Sequence, residues 1–302
     1  MRIAVAATPV VALPTLDLLK SSKYQLVRVI TRPDRPTGRG RNSQPTVVAQ
    51  WADENNIDCH KPEDDVQLAQ SLHDVDLLIT IGFGVILSKE LLKIPSRGSI
   101  NLHFSLLPRW RGAAPVQRAI EAGDHLSGVT VFQLDEGMDT GPIFVTKRFA
   151  IDSDITSDEL LHELSQLGPE AIVETLALIE NGKKPTAQDS AGATLARKLT
   201  KIEGKIDWTN SAESIHSKVR AFTSNPGAWT VFRNENLILQ QPEISALRLK
   251  PGQIEVRDKK LHVGTATSAL SFLKVKPSGK PLMDASAWIN GVRISAEEFF
   301  GE

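Results

Sequence analysis

The chain has 302 residues, 41% of them apolar and 24% charged, with 20 glycines and 17 prolines. That composition suits one large core with a smaller companion and excludes a disordered, collagenous or low-complexity protein. Its one cysteine, Cys59, excludes an intramolecular disulfide and makes a reducing, cytoplasmic setting the expectation. With 35 basic and 36 acidic side chains the net charge is -1, so no global field draws the molecule to a polyanion.

No apolar run approaches the roughly 18 residues of a membrane span, and Pro9, Pro14, Asp17 and Lys20 break the start as a signal peptide. Residues 2–8 are apolar on both faces and predict a first strand, after which Pro9 turns the chain into a helix over 14–21. The β-branched Val27, Val29, Ile30 and Thr31 predict a second strand over 25–31. A helix over 47–55, apolar strands over 75–80 and 99–104 and a helix over 114–122 follow. This alternation argues for a mainly parallel sheet covered by helices, with its binding crevice beyond the carboxyl ends of the strands. Strand-like runs at 129–134 and 143–149 then flank a Gly- and Asp-rich turn at 135–142, the pattern of a long-looped hairpin. An amphipathic helix over 157–179 opens on Asp158 and Glu159, and Gly168-Pro169 kinks or divides it.

Beyond a connecting passage, a short helix over 211–222 precedes brief strands at 229–232, 237–240, 252–256, 261–264 and 270–275, the pattern of a small barrel. The fold class is therefore α/β with a small β-barrel behind it. The expected division is a catalytic domain over 1–189, a linker over 190–205 and a barrel domain over 206–302. Charge divides unevenly too: residues 1–200 carry net -4 and residues 201–302 net +3.

Ser99-Ile100-Asn101-Leu102-His103 is the most informative short segment. As a strand it sends Ile100 and Leu102 to the core and Asn101 and His103 to the opposite face, because side chains alternate. An amide and an imidazole then project together at a strand end; the other reading is a polar pair that caps the following turn. Asp139, in the turn at 135–142, either accepts a proton from His103 and favours its imidazolium form, or is an Asx-turn aspartate beside Gly141.

Residues 105–115 follow at once, with Trp110 between Arg109 and Arg111 and with Gly112 permitting close approach. They suit an anion or a flat ring, or else form a surface loop anchored by one tryptophan. A second basic segment after strand two sets Arg32, Arg35, Arg39 and Arg41 against Asp34 alone. It is either a phosphate-binding loop or a solvated one, and it matches neither GxxxxGK[ST] nor GxGxxG. The remaining histidines lack metal-ligand spacing, so no metal is expected.

Together these residues resemble the folate-dependent formyltransferase family, and within it the enzymes that act on methionyl-tRNA. The resemblance rests on Thr8-Pro9, PDRPTGRG at 33–40, GFGVIL at 82–87, INLHFSLLPRWRGAAPVQ at 100–117, DTG at 139–141, LGP at 167–169 and IDW at 206–208. It implies a Rossmann-like formyltransferase domain followed by a barrel resembling an OB-fold. It further implies 10-formyltetrahydrofolate as formyl donor, methionyl initiator tRNA as acceptor, no metal, no membrane partner and a cytoplasmic monomer.

By the same resemblance Asn101, His103 and Asp139 are the catalytic residues. The implied folate crevice is lined by Phe83, Gly84, Val85, Ile86 and Leu87, by Ser105, Leu106, Leu107 and Pro108, and by Asp139. Arg35, Arg39 and Arg41 are the implied tRNA contacts. In that chemistry Asn101 and protonated His103 offer donors to a developing oxyanion, while His103, or a water held by Asp139, moves the proton.

The chain departs from the family pattern at Ala7 and Phe104, where glycine is usual, and at Val10 and Val11, where Asp-Phe is common. These positions bear on the amino-acid pocket and leave the three catalytic positions untouched. Rival readings are a formyltransferase for an amino sugar or a small ribonucleotide amine, a formyl-folate hydrolase, and a non-catalytic RNA-binding protein on a degenerate enzyme fold.

Overall fold

A strand that is apolar on both sides belongs in the middle of a sheet with both faces covered. The first strand, β1 (Arg2–Ala7), satisfies this: Ile3, Ala4, Val5, Ala6 and Ala7 are fully buried. The computed structural model describes residues 1–37, 42–295 and 297–301, which group into two units. One comprises residues 1–115, 126–150 and 161–196, and the other residues 116–125, 151–160 and 197–302.

In the first unit β1 is followed by β2 (Gln25–Ile30), β3 (Arg35–Thr37), β4 (Asn42–Gln44), β5 (Cys59–His60), β6 (Leu77–Ile81), β7 (Ser99–His103), β8 (Leu126–Gln133) and β9 (Ile143–Ala150). Seven of them form one sheet in the order β5-β2-β1-β6-β7-β8-β9. The pairs up to β7 are parallel, and β8 and β9 add antiparallel to that edge. The strands β3 and β4 pair with each other, so the basic segment expected as a loop is in part an antiparallel ribbon.

Helices α1 (Leu13–Ser21), α2 (Val47–Glu54), α3 (Asp65–Ser71) and α4 (Lys89–Leu92) alternate with the strands. Thr46, Asp64 and Ser88 cap the last three, each side chain accepting the backbone N–H three residues on. After α5 (Pro115–Glu121), α6 runs unbroken over Ser157–Glu180 despite Pro169, where a kink or a division is expected from the sequence. A Cβ at Gly168 would stand 2.7 Å from Leu102 Cδ2. The glycine thus lets this stretch of the helix lie close to the core-facing side of β7, the side opposite Asn101 and His103.

The second unit holds α7 (Ala212–Ala221), α8 (Ala285–Val292) and the strands β10 (Trp229–Phe232), β11 (Glu235–Ile244), β12 (Ile254–Arg257), β13 (Lys260–Val263), β14 (Leu270–Pro277) and β15 (Met283–Asp284). They form an antiparallel sheet in the order β10-β11-β14-β13-β12 with β15 on β14, curled into a partly closed, OB-like half-barrel. Its interior is aromatic: Trp208 meets Phe272 edge-on at 6.0 Å between ring centroids, and Phe232 meets Trp288 at 5.1 Å.

An ionic cluster ties this unit together. Arg118 donates to Glu121 and to Glu203, both at 2.7 Å, and the Thr200 hydroxyl and N–H also donate to Glu203 at 2.8 Å. The Arg118 hydrogen bond, with help from Thr200, draws the Glu203 carboxyl from 4.5 down to about 2. Because folding lowers this pKa, the stabilisation is present above the unfolded value and is lost as pH falls towards 2. Glu203→Gln is expected to lower Tm at pH 7, with the gap to the unmutated chain closing as pH drops from about 5 towards 2. Equal melting temperatures at neutral pH would show that the cluster contributes nothing.

Candidate active site

Register places the two polar residues of β7 at the carboxyl end of the parallel strands. Asn101 pairs with Thr80 of β6 and with Phe132 of β8, and His103 pairs with Thr130 of β8. Ile100 and Leu102 are each 1% exposed, so Asn101 and His103 share the opposite face, as alternation requires. The Thr80 hydroxyl donates to Asn101 Oδ1 at 2.8 Å, which leaves the two amide N–H groups of Asn101 to be offered elsewhere.

The His103 imidazole is 6% exposed, with its ring edge-on to Phe132 at 6.4 Å. Its Nε2–H donates to the Trp110 carbonyl at 2.9 Å, and its Nδ1 faces Asp139 Oδ2 at 3.7 Å. A carbonyl only accepts, so Nε2 carries the hydrogen and Nδ1 is the nitrogen left for proton exchange, on the carboxylate side.

Asp139 and Trp110 both adopt left-handed backbone conformations, at φ 54° and 65°. Such non-glycine residues cost about 1–3 kcal/mol each and persist only where their surroundings impose them. The surroundings here are explicit. Asp139 Oδ2 accepts the Gly112 N–H at 2.7 Å, and the Trp110 N–H donates to Thr194 Oγ1 at 2.9 Å. Residues 111–114 run beside 194–196, with Arg111 N–H to the Thr194 carbonyl at 2.9 Å and Ala196 N–H to the Arg111 carbonyl at 2.6 Å. At Gly112, with φ 120°, a Cβ would stand 2.7 Å from the Ala196 carbonyl oxygen, so only glycine fits this approach.

A Formyl transferase model matches residues 1–176, and a Formyl transferase, C-terminal domain model matches residues 198–293. The methionyl-tRNA formyltransferase of Salinispora tropica is 39% identical over 305 residues, covering 99% of each chain. The chain belongs to the methionyl-tRNA formyltransferase family. Two solved structures share its fold. WlaRD, a sugar 3N-formyl transferase crystallised in the presence of dTDP and 5-N-formyl-THF, superimposes with a TM-score of 0.71 at 20% identity, covering 93% of this chain and 99% of its own. HypX from Aquifex aeolicus gives a TM-score of 0.70 at 17% identity over 99% of this chain, which spans 48% of the HypX chain.

In this member of the methionyl-tRNA formyltransferase family, the residues expected to line a folate crevice divide by burial. Phe83 and Leu87 lie in a core cluster with Ala4, Leu68 and Leu72, so their side chains anchor the loop from beneath. Gly84 and Ile86 are exposed, Ile86 by 80%, and Val85 is half-buried. Among the described residues the N–H groups of residues 83–87 donate to no backbone carbonyl. Ser105 is fully buried and closes a turn: its hydroxyl donates to the Arg109 carbonyl and its own carbonyl accepts the Thr130 hydroxyl, both at 2.7 Å. Leu107 is buried, and Leu106 and Pro108 are half-buried.

Arg35 is exposed on β3, whereas Arg39 and Arg41 lie outside the described residues. Arg109 stacks over the Trp110 ring at 4.4 Å. Among the described residues no group of three or more His, Cys, Asp or Glu side chains is placed to hold a metal ion, and no helix is long and apolar enough to cross a membrane. Sequence reasoning missed three residues of the site: Thr80, Gln188 and Thr194. Thr80 left a faint signal as the one polar side chain in the apolar run of β6; the other two sit in a polar passage with no pattern at all.

Proposed function

We propose that the chain transfers the formyl group of 10-formyltetrahydrofolate to the α-amine of methionine on initiator tRNA, in the cytoplasm, giving N-formylmethionyl-tRNA. The observation that carries this reading is the placement of Asn101 and His103 on one strand face with the Asp139 carboxylate 3.7 Å from the imidazole Nδ1. An acyl transfer needs donors aimed at a developing oxyanion and one group that takes and returns a proton. The Asn101 amide N–H groups serve the first need. His103 Nδ1 serves the second: it takes the proton of the attacking amine as the new C–N bond forms, and returns it to the folate nitrogen as the old C–N bond breaks. Asp139 faces the imidazolium formed between those events.

The N–H groups of residues 83–87, which among the described residues donate to no backbone carbonyl, suit the polar edges of a flat ring, and this supports placing the folate against that loop. Val10, 59% exposed just after β1, and Met138, 57% exposed in the Asp139 turn, supply apolar surface for the methionine side chain, whereas Val11 is buried. We assign the chemistry to the domain at 1–189 and tRNA support to the barrel at 206–302, together with Arg35, Arg39 and Arg41.

Incubation of the purified chain with 10-formyltetrahydrofolate and methionyl initiator tRNA, methionyl elongator tRNA or an amino sugar tests the reading. Formylated product with the initiator tRNA alone is expected, and product with the sugar alone would overturn it. Neutralising Arg35 is expected to weaken tRNA binding and reduce the slope of log affinity against log salt by about 1, with folate affinity unchanged. Parallel loss of both ligands would instead indicate a disturbed fold.

A further inference from the structure

We infer that Gln188 and Thr194 are positioning residues for this formyl transfer, an inference that rests on the proposed reaction. Gln188 uses both ends of its amide. Its Nε2 donates to the carbonyls of Asp139 and Gly141 at 2.9 and 2.7 Å, and its Oε1 accepts from Arg111 Nε and Nη2 at 3.1 and 2.6 Å. One side chain thereby clamps the turn that carries Asp139 to the loop that carries Gly112, the donor to the Asp139 carboxylate.

Thr194 acts on the other partner. Its Oγ1 accepts the Trp110 N–H, and the Trp110 carbonyl in turn accepts His103 Nε2–H. The hydroxyl therefore fixes the residue whose carbonyl sets the imidazole tautomer. Both residues held in this way, Asp139 and Trp110, have left-handed backbones, which need imposed geometry.

Neither side chain belongs to the hydrophobic core. Ala187, Asp189 and residues 190–193 are exposed, and Gln188 and Thr194 are only half-buried within that exposed stretch. Their contacts run to backbone atoms and to Arg111, all in the site. The strap at 188–196 is thus part of the catalytic frame, although it lies where the sequence reads as the end of one domain and the start of a linker.

Gln188→Glu keeps the volume and the Arg111 partner but sets a carboxylate against two carbonyls. Thr194→Val removes the acceptor at constant shape, and Thr194→Ser restores it. Turnover per folate-binding site is expected to fall about tenfold to a hundredfold in Q188E and T194V, because small misplacement of reacting groups costs that much. KM is expected to change little in either, and T194S to recover the rate. Unchanged turnover in both, or T194S no better than T194V, overturns the inference. Should Q188E not fold, Gln188→Ala takes its place with the same expectations.

Nitrogen-15 NMR of the His103 ring separates this inference from the activity it rests on. T194V is expected to shift the balance between Nε2-protonated and Nδ1-protonated imidazole, whether or not the unmutated chain formylates tRNA. Unchanged ring shifts would overturn the positioning role even in an active enzyme, and an inactive unmutated chain with altered shifts would overturn only the reading of the reaction.

Discussion

Replacing His103 with alanine is expected to lower turnover by about a hundredfold or more, the usual scale for removing a positioned acid–base group. The ring is nearly enclosed, held by the Trp110 carbonyl on one nitrogen and by Phe132 on its edge, so its Nδ1 is presented in one orientation. Alanine leaves a cavity beside Phe132 and removes the hydrogen bond that His103 gives the Trp110 carbonyl, and some loss of Tm accompanies the loss of rate. His103→Gln supplies the control: it offers an N–H to Trp110 and fills much of the space, yet cannot carry a proton at neutral pH. Single-turnover formylation with saturating methionyl initiator tRNA reads the chemical step directly. A near-normal rate in either folded variant would remove His103 from the chemistry.

The second large effect is expected at Asp139, where two substitutions separate charge from geometry. Asparagine tolerates a left-handed backbone and retains an oxygen to accept the Gly112 N–H, so Asp139→Asn is expected to fold with little change in Tm. It removes the negative charge 3.7 Å from His103 Nδ1, and turnover is expected to drop by about a hundredfold. Alanine loses the Gly112 bond as well and sits poorly at φ 54°, so Asp139→Ala is expected to cost about 1–3 kcal/mol more in stability. If His103 and Asp139 act as one unit, the H103A/D139N double variant loses no more rate than the worse single variant. Fully additive losses would assign them independent tasks.

Strong periodicity was readable and weak periodicity was not. Residues 2–8, 25–31 and 99–104 announce β1, β2 and β7 within about two residues, because continuous or alternating apolar character over that length fits little but a strand. The four-residue α4 and the two-residue β5 and β15 are too short to show a period, and they escape such a reading. The ribbon of β3 and β4 is hidden for another reason: Pro36 and Asn42 carry turn character, while its pairing is between backbone groups. The uninterrupted α6 contains Pro169 within it, and beside that proline a Cβ at Gly168 would stand 2.7 Å from Leu102 Cδ2, a close approach that no local pattern announces.

The sequence by itself determined the two-part architecture, the shared face of Asn101 and His103, and, through long motif resemblance, the formyltransferase family. Only the tertiary structure decided which histidine nitrogen faces the Asp139 carboxylate, which side chains of residues 83–87 are buried and which exposed, and that Gln188 and Thr194 hydrogen-bond to the segments carrying Asp139 and Trp110. The physical reason is the same in each case. Alternation and apolar runs are properties of neighbouring residues, so they are written along the chain. A hydrogen bond from Gln188 to the carbonyls of Asp139 and Gly141 joins residues almost fifty apart through backbone atoms that every residue carries, and no side-chain pattern records it.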